Sequence, residues 1–321
     1  MRATDHERLL VKVARLYYEQ ELTQSQISKR LRLSRQKVQR LLQEARQGGI
    51  VQISIRPVMG IFSDLERALE QSYGLREAIV VETTAYPDHD TVTREIGVAA
   101  AEYLLRVIQP QDTITISWGS TLLGMVNALY ANATRSDVEG LTVVQGLGGL
   151  GDPTDEVHAA DLTRRLARIL GGQAVLMPAP GAAGTLAARE ALMADPHVQQ
   201  ALEQASRANL AVMGIGAPRP DSVLIRHGNI IQWEELAALQ QQGAAGDINL
   251  RYFDSDGQPV DSDLDRRIIG LTLEDIQHIE TVVGIAGGEA KYSAIDGAVR
   301  GRLIDTLVTD DVTARRLLDG G

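Results

Sequence analysis

The 321-residue sequence contains no cysteine. A disulfide framework, thiolate-bound zinc and a cysteine nucleophile are therefore excluded. Aromatic residues make up only 4%, with two Phe and two Trp, so any core must rest on Leu, Ile, Val and Ala. No apolar run approaches the roughly 18–20 residues of a membrane-spanning helix. The opening residues, MRATDHER, lack the pattern of a signal peptide. A soluble, cytoplasmic protein with no membrane partner is the expectation. Lysine is also scarce, occurring only as Lys12, Lys29, Lys37 and Lys291. What is present suffices for globular cores: 44% hydrophobic and 23% charged residues. At about 100–200 residues per domain, the length predicts two domains.

Charge divides the chain. The formal net charge is −10, yet residues 1–56 hold 12 Lys/Arg against 5 Asp/Glu, a net of +7. The remainder holds 20 against 37, a net of −17. A small basic module on a large acidic body is the footprint of an N-terminal nucleic-acid binder whose other domain does something else. Three of the four lysines lie in the module. Lys291 is the only ammonium side chain of the body.

Three helical patterns fill the module. Leu9, Leu10, Val13, Leu16 and Tyr17 form one apolar face. A second helix opens at Thr23, with Gln26 three residues on as a capping box and Ile27 and Leu31 as its buried pair. It breaks around Arg32 and Leu33. Ser34 is the N-cap of a third helix in which Val38, Leu41, Leu42 and Ala45 face inward and Gly48-Gly49 marks the end. The alternation from Ile50 to Ile55 then predicts a short strand. Helix, turn, helix and strand make a winged helix-turn-helix. Outward on the third helix lie Arg35, Gln36, Gln39, Arg40 and Gln43. Arginine can pair with guanine and glutamine with adenine. Lys29, Arg30, Arg32 and Lys37 suit phosphates, as do Thr23 and Gln24 at the second helix's N-terminus. The predicted DNA-contacting set is Thr23, Gln24, Ser34, Arg35, Gln36, Lys37, Gln39 and Arg40. Expected boundaries are 1–56 for this domain, 57–60 for a linker carrying Pro57 and Gly60, and 61–321 for the body, which opens with an amphipathic helix over 61–73.

The body alternates apolar runs with helical stretches. The runs are 78–81, 113–117, 141–145, 174–177, 210–215, 281–285 and 303–308. Helices are predicted over 91–108, 121–130, 156–170 and 184–205. Such alternation implies a doubly wound, mostly parallel α/β sheet covered on both faces. Residues 249–253 and 258–260, joined by Asp254-Ser255-Asp256-Gly257, read as an inserted hairpin. Several strands end in glycine, where an open α/β sheet binds its ligand. Gly119-Ser120-Thr121 can cradle an anion on backbone amides at a helix start; plain turn and capping chemistry explains it equally well. Lys291 follows Gly287-Gly288 near the start of a helix over 292–300, where a flexible point charge suits a phosphoryl group. Asp247 can accept sugar hydroxyls or simply cap a turn.

Other motifs carry less. Gly146-x-Gly148-x-x-Gly151 matches a dinucleotide fingerprint, but Asp152, Asp155 and Glu156 follow it and would repel a pyrophosphate, and the next strand lacks the acid that holds a ribose. Asp152, Asp155, Glu156, His158 and Asp161 could be read as a metal cluster, but the acids read better as a helix-dipole complement and His158 as a helix residue with ordinary partners. Asp254-x-Asp256-Gly257 lacks the rest of a calcium loop. Ser120 has no His/Asp escort. No catalytic residue, metal or cofactor is expected.

The ordered set LTQSQISKRLRLSRQKVQRLLQEARQGGIV (22–51), ITISWGSTL (114–122), LMPAP (176–180), AVMGIGAP (211–218), GAAGDINLRYFDSDG (243–257) and GIAGGEAKYSAIDGAVRGRLIDTLVTDDVTA (284–314) resembles the SorC family of bacterial sugar-binding transcriptional regulators, over nearly the whole chain. The resemblance implies a C-terminal domain like sugar-phosphate isomerases and glucosamine-phosphate deaminases, used as a sensor without catalysis. It implies a phosphorylated sugar effector and dimers or tetramers on palindromic operator DNA. Carried over, Gly119, Ser120, Thr121 and Lys291 hold the phosphate and Asp247 the sugar hydroxyls. The family's nucleoside repressor has a Schiff-base lysine after its third-strand region. Here that stretch is VVQGLGG (143–149), without lysine, so the effector is expected to bind non-covalently, with Gln145 as a weaker ligand. The expected function is a regulator, and specifically a repressor, of a carbohydrate or nucleoside operon. The alternative is a sugar-phosphate isomerase or NAD-dependent enzyme with a DNA-binding appendage.

Overall fold

The structure is a computed structural model, and it describes residues 5–51, 62–83, 89–131, 138–149, 159–219 and 231–320. Two compact units divide between Val58 and Met59.

The first unit holds α1 (Asp5–Tyr18), α2 (Gln24–Leu31) and α3 (Arg35–Gln47). Local chemistry sets each boundary. Thr23 Oγ1 accepts from the Gln26 N–H at 3.3 Å, and Gln26 Oε1 accepts from the Thr23 N–H at 2.8 Å, completing the capping box. Arg32 ends α2 in the left-handed region at φ 52°, and the Leu33 N–H closes the turn on the Ser28 carbonyl. Ser34 then caps α3 by accepting from the Lys37 N–H at 3.1 Å. Val13, Ile27, Val38, Leu41 and Ala45 are buried between the three helices. Of the predicted strand, Ile50 and Val51 form bends, the Val51 N–H closing on the Ala45 carbonyl. Residues 52–55 and the predicted linker lie outside the described residues.

The second unit is a parallel sheet in the order β1 (Glu77–Val81), β9 (Thr306–Asp310), β8 (Thr281–Ile285), β5 (Leu210–Gly216), β2 (Thr113–Ile116), β3 (Thr142–Gln145), β4 (Gln173–Val175). The strands alternate between two cores because successive side chains point to opposite faces. Ala211, Met213, Val282 and Leu307 enter one core, and Val212, Val283, Ile285 and Val308 the other. The first core is covered by α4 (Ser63–Tyr73), α12 (Tyr292–Arg300) and α13 (Asp311–Asp319); the second by α5 (His89–Val107), α6 (Ser120–Ala131) and α7 (Ala159–Leu170). This is the doubly wound plan.

Three expectations shift. The helix predicted over 184–205 is two helices, α8 (Leu186–Met193) and α9 (Pro196–Ser206). Pro196 cannot continue a helix, and the Asp195 carboxylate caps the new one by accepting from the His197 N–H at 2.8 Å. The last strand begins at Thr306 rather than 303. The hairpin region holds more than its predicted turn. The Val260 N–H does donate to the Tyr252 carbonyl, and the Asp254 N–H to that of Gln258, around the 254–257 turn. A tighter hairpin precedes it: β6 (Gly246–Ile248) pairs antiparallel with β7 (Arg251–Phe253) and, on its other edge, with the end of β5. Its two-residue tip, Asn249-Leu250, has φ 59° and 63°, as a type I′ turn requires. α10 (Trp233–Gln241) and α11 (Leu273–Gln277) complete the described helices.

From β2 the chain moves outward to β3 and β4, and from β5 it moves the opposite way to β8 and β9. Ligands bind at such a reversal, beyond the carboxyl ends of the strands.

Candidate functional site

Three strand ends and the β6–β7 hairpin converge at that reversal. After β2 the chain runs through Ser117, Trp118 and Gly119 into α6. Ser117 Oγ accepts from the Gly214 N–H at 3.1 Å, fastening the ends of β2 and β5 together. Gly119 stands at φ 128°, a conformation that lets the chain turn directly into α6. The leading N–H groups of a helix have no intrahelical acceptor. Ser120 is half-buried and Thr121 buried at this start. After β8, the Gly288 N–H donates to Asp310 Oδ2 at 2.7 Å, and Asp310 Oδ1 caps α13 by accepting from the Thr313 N–H. The loop is thereby fixed, and it delivers Lys291 at the start of α12.

Asp247 sits opposite Gly216 in the β5–β6 pairing. A Cβ on Gly216 would overlap Asp247 Oδ1, so only glycine lets the carboxylate fold over the end of β5. Asp247 is 5% exposed. Its Oδ2 accepts from the Leu250 N–H at 3.2 Å, while its Oδ1 is buried without a hydrogen-bond partner. Burial pushes the Asp247 carboxyl up to about 6, with the Leu250 N–H and the Lys291 charge pulling the other way. The same crowding lowers Lys291 from the ordinary lysine range, although part of the residue still reaches solvent, and the Asp247 charge opposes that fall. An acid and an amine thus lie within electrostatic reach of each other, with no ion pair between them. A buried charge left in this condition is costly, and a ligand bearing the complementary groups relieves it.

Asn249, which the sequence reading did not single out, belongs here too. Its Nδ2 donates to the Gly146 carbonyl at 2.8 Å, and its Oδ1 is buried and unpartnered. Gln145 does not join the group. Its Nε2 donates to the Leu147 carbonyl at 2.6 Å and its Oε1 accepts from the Met177 N–H at 3.2 Å, so both ends of the amide are committed to neighbouring loops. The glycines of the dinucleotide-like motif are committed likewise: the Gly148 N–H donates to the Ile269 carbonyl, and a Cβ on Gly148 would strike Pro180. Asp161 lies in α7 facing Arg165 at 3.7 Å; Gly151, Asp152, Asp155, Glu156 and His158 lie outside the described residues. Among the described residues no cluster of three acid or imidazole groups could hold a metal, and no helix is long and apolar enough to cross a membrane.

On the first unit, Arg35, Gln36, Lys37, Gln39 and Arg40 are exposed along one side of α3. Arg40, itself exposed, meets the half-buried Glu44 at 3.5 Å. Thr23 and Ser34 are exposed caps, and Gln24 is half-buried. The two N-termini of α2 and α3 thus carry their polar side chains on the chain's most basic stretch.

The protein-family description "Putative sugar-binding domain" matches residues 60–319. The "Deoxyribonucleoside regulator" of Bacillus subtilis is 33% identical over 318 residues, 98% of each chain. The "Transcriptional regulator LsrR" of Klebsiella pneumoniae is 32% identical, over 98% of this chain and 94% of the relative. Among solved structures, the full-length sorbitol operon regulator SorC of Klebsiella pneumoniae superposes with a TM-score of 0.74 at 32% identity, covering 98% of this chain and all of that one. The chain belongs to the SorC-type transcriptional regulators that carry this sugar-binding domain.

Proposed function

We propose that the chain is an effector-responsive repressor of a carbohydrate or nucleoside operon, released from or locked onto its operator by a phosphorylated sugar bound non-covalently at the β2–β5 crevice. The observation that carries this reading is the buried Asp247 carboxylate with an unpartnered oxygen, coupled to the sole lysine of the acidic body. The pair is polarised as a phosphosugar is. Lys291 and the first amides of α6 at Gly119, Ser120 and Thr121 take the phosphate, because a helix N-terminus and an ammonium both favour an anion. Asp247 takes hydroxyl hydrogens. The relatives described above are named as regulators, and the crevice here works as a sensor without turnover.

In the first unit, Arg35, Gln36, Gln39 and Arg40 enter the major groove and read base edges. Lys37 and the caps Thr23, Gln24 and Ser34 meet phosphates and set the register. One such module recognises a half-site only, so the operator-bound form is a symmetric dimer or tetramer on a palindrome. The sugar acts by binding two protomer arrangements unequally; about 1–3 kcal/mol of coupling gives a 5–150-fold change in operator affinity.

The test has two stages. Genomic fragments selected by the full chain supply the operator, and fluorescence anisotropy then measures its affinity with and without a panel of pentose and hexose phosphates and the matching free sugars. At least one phosphorylated member is expected to change operator affinity fivefold or more at constant salt, with its free sugar inactive. Operator binding indifferent to the whole panel, or steady consumption of a sugar phosphate by the protein, would contradict the reading.

A further inference from the structure

Strand β7 places Tyr252 directly across the hairpin from Asp247, and opposed residues of an antiparallel pair share a face. Tyr252 is 2% exposed, packed in a cluster with Leu147, Leu236 and Leu250. Its hydroxyl is buried without a hydrogen-bond partner, and so is Asp247 Oδ1. The two groups feel each other: burial and the Asp247 charge push the phenol well above its ordinary range, so it is a donor at any physiological pH. A donor without an acceptor and an acceptor without a donor thus belong to residues opposed across the hairpin, and the two do not bond each other. Folded proteins seldom leave such groups unmatched. One alcohol oxygen seated between them would accept from the Tyr252 hydroxyl and donate to Asp247 Oδ1, completing both. Neither a deprotonated phosphate oxygen nor an apolar carbon can do that.

We infer that Tyr252 is a specificity-determining residue of the crevice, reading a sugar hydroxyl jointly with Asp247 while Lys291 holds the phosphate. The inference rests on the crevice being the phosphosugar site proposed above. It narrows the effector to a polyhydroxylated phosphate ester, because a site built around a hydroxyl rejects analogues that lack it. Simple alkyl phosphates and inorganic phosphate would meet Lys291 but leave Tyr252 and Asp247 unmatched.

Tyr252→Phe removes one oxygen and keeps the ring packing. Full-length wild type and variant are compared by thermal shift and calorimetry with ribose 5-phosphate, glucose 6-phosphate, fructose 6-phosphate, methyl phosphate and inorganic phosphate. The free variant is expected to melt at the same temperature as wild type or higher, since a buried unmatched donor has gone. The sugar phosphates that shift wild type should bind the variant at least about tenfold more weakly, with methyl and inorganic phosphate unchanged. A variant that binds the sugar phosphates as wild type does overturns the inference alone, and leaves a trapped water as the filler of the gap. An equal loss towards inorganic phosphate also overturns it, because the residue then acts through structure. A wild type silent to all three sugar phosphates overturns the crevice reading and this inference with it.

Discussion

Replacing Asp247 with Asn tests the electrostatics of the crevice without any ligand. The carboxyl titrates at about 6 in the folded chain against an ordinary 3.8. Because the folded value is the higher one, the folded state binds the proton more tightly. Stability from this group is complete below about 3.8, falls as pH rises towards about 6, and is level beyond. A displacement of about two units sets an upper bound of roughly 3 kcal/mol on what burial of the charged form costs near neutrality. The amide does not titrate, but it deprives Lys291 of its facing charge, so a net gain of about 1–2 kcal/mol is the reasoned figure. In a body of this size, 1 kcal/mol moves the melting temperature by about 2–4 °C. Melting curves of wild type and Asp247→Asn are recorded from pH 4 to pH 7.5. The variant's advantage should be small at pH 4, grow through pH 5 and 6, and level off above. Taking the difference between the two proteins removes the other acids of the body from the comparison. Parallel curves, with no pH-dependent gap, would show that the buried carboxyl is not raised.

Gly216→Ala should force the Asp247 carboxylate out of its seat, because the new methyl overlaps Oδ1; we expect a loss of about 1–3 kcal/mol in urea unfolding and loss of the sugar-phosphate thermal shift, and a variant normal in both would contradict the close approach. Arg35→Ala and Gln39→Ala should relax base preference in selections from random duplexes, each at about 1–3 kcal/mol of lost discrimination. An equal loss on every sequence would show that these side chains meet phosphates instead. Lys37→Ala should do the reverse, weakening all duplexes alike and flattening the salt dependence.

The parts that were legible in the sequence are those fixed by neighbours a few residues away. Thr23, Gln26 and Ser34 cap helices because their partners lie three residues on, and the parallel strands announce themselves as apolar runs buried on both faces. Pro196 stands inside the helix predicted over 184–205, and with the capping carboxylate of Asp195 it divides that stretch into two helices. The three-residue strand β6 carries no periodic signal; it exists because the end of β5 offers it an edge. Lys291 stood out by scarcity and Asp247 by its turn-like setting, and the fold brings the two within electrostatic reach of each other. Gln145 looked equally available, but its amide is occupied by the Leu147 carbonyl and the Met177 N–H, partners that only the packing of distant loops supplies. For the same reason the unmatched oxygens of Asn249 and Tyr252 have no signature in the sequence: a missing partner is a property of the assembled neighbourhood.

In the proposed sensor, the lone amine of the acidic body, set against a buried carboxyl, holds the charged end of a sugar phosphate. Thermal shift of the full chain against phosphorylated sugars and their free counterparts, in wild type and Lys291→Ala, measures it most directly. At least one phosphorylated sugar should shift the wild type, its free form should not, and the shift should disappear in the variant. An undiminished shift in Lys291→Ala, or equal shifts from the free and phosphorylated sugar, would contradict it.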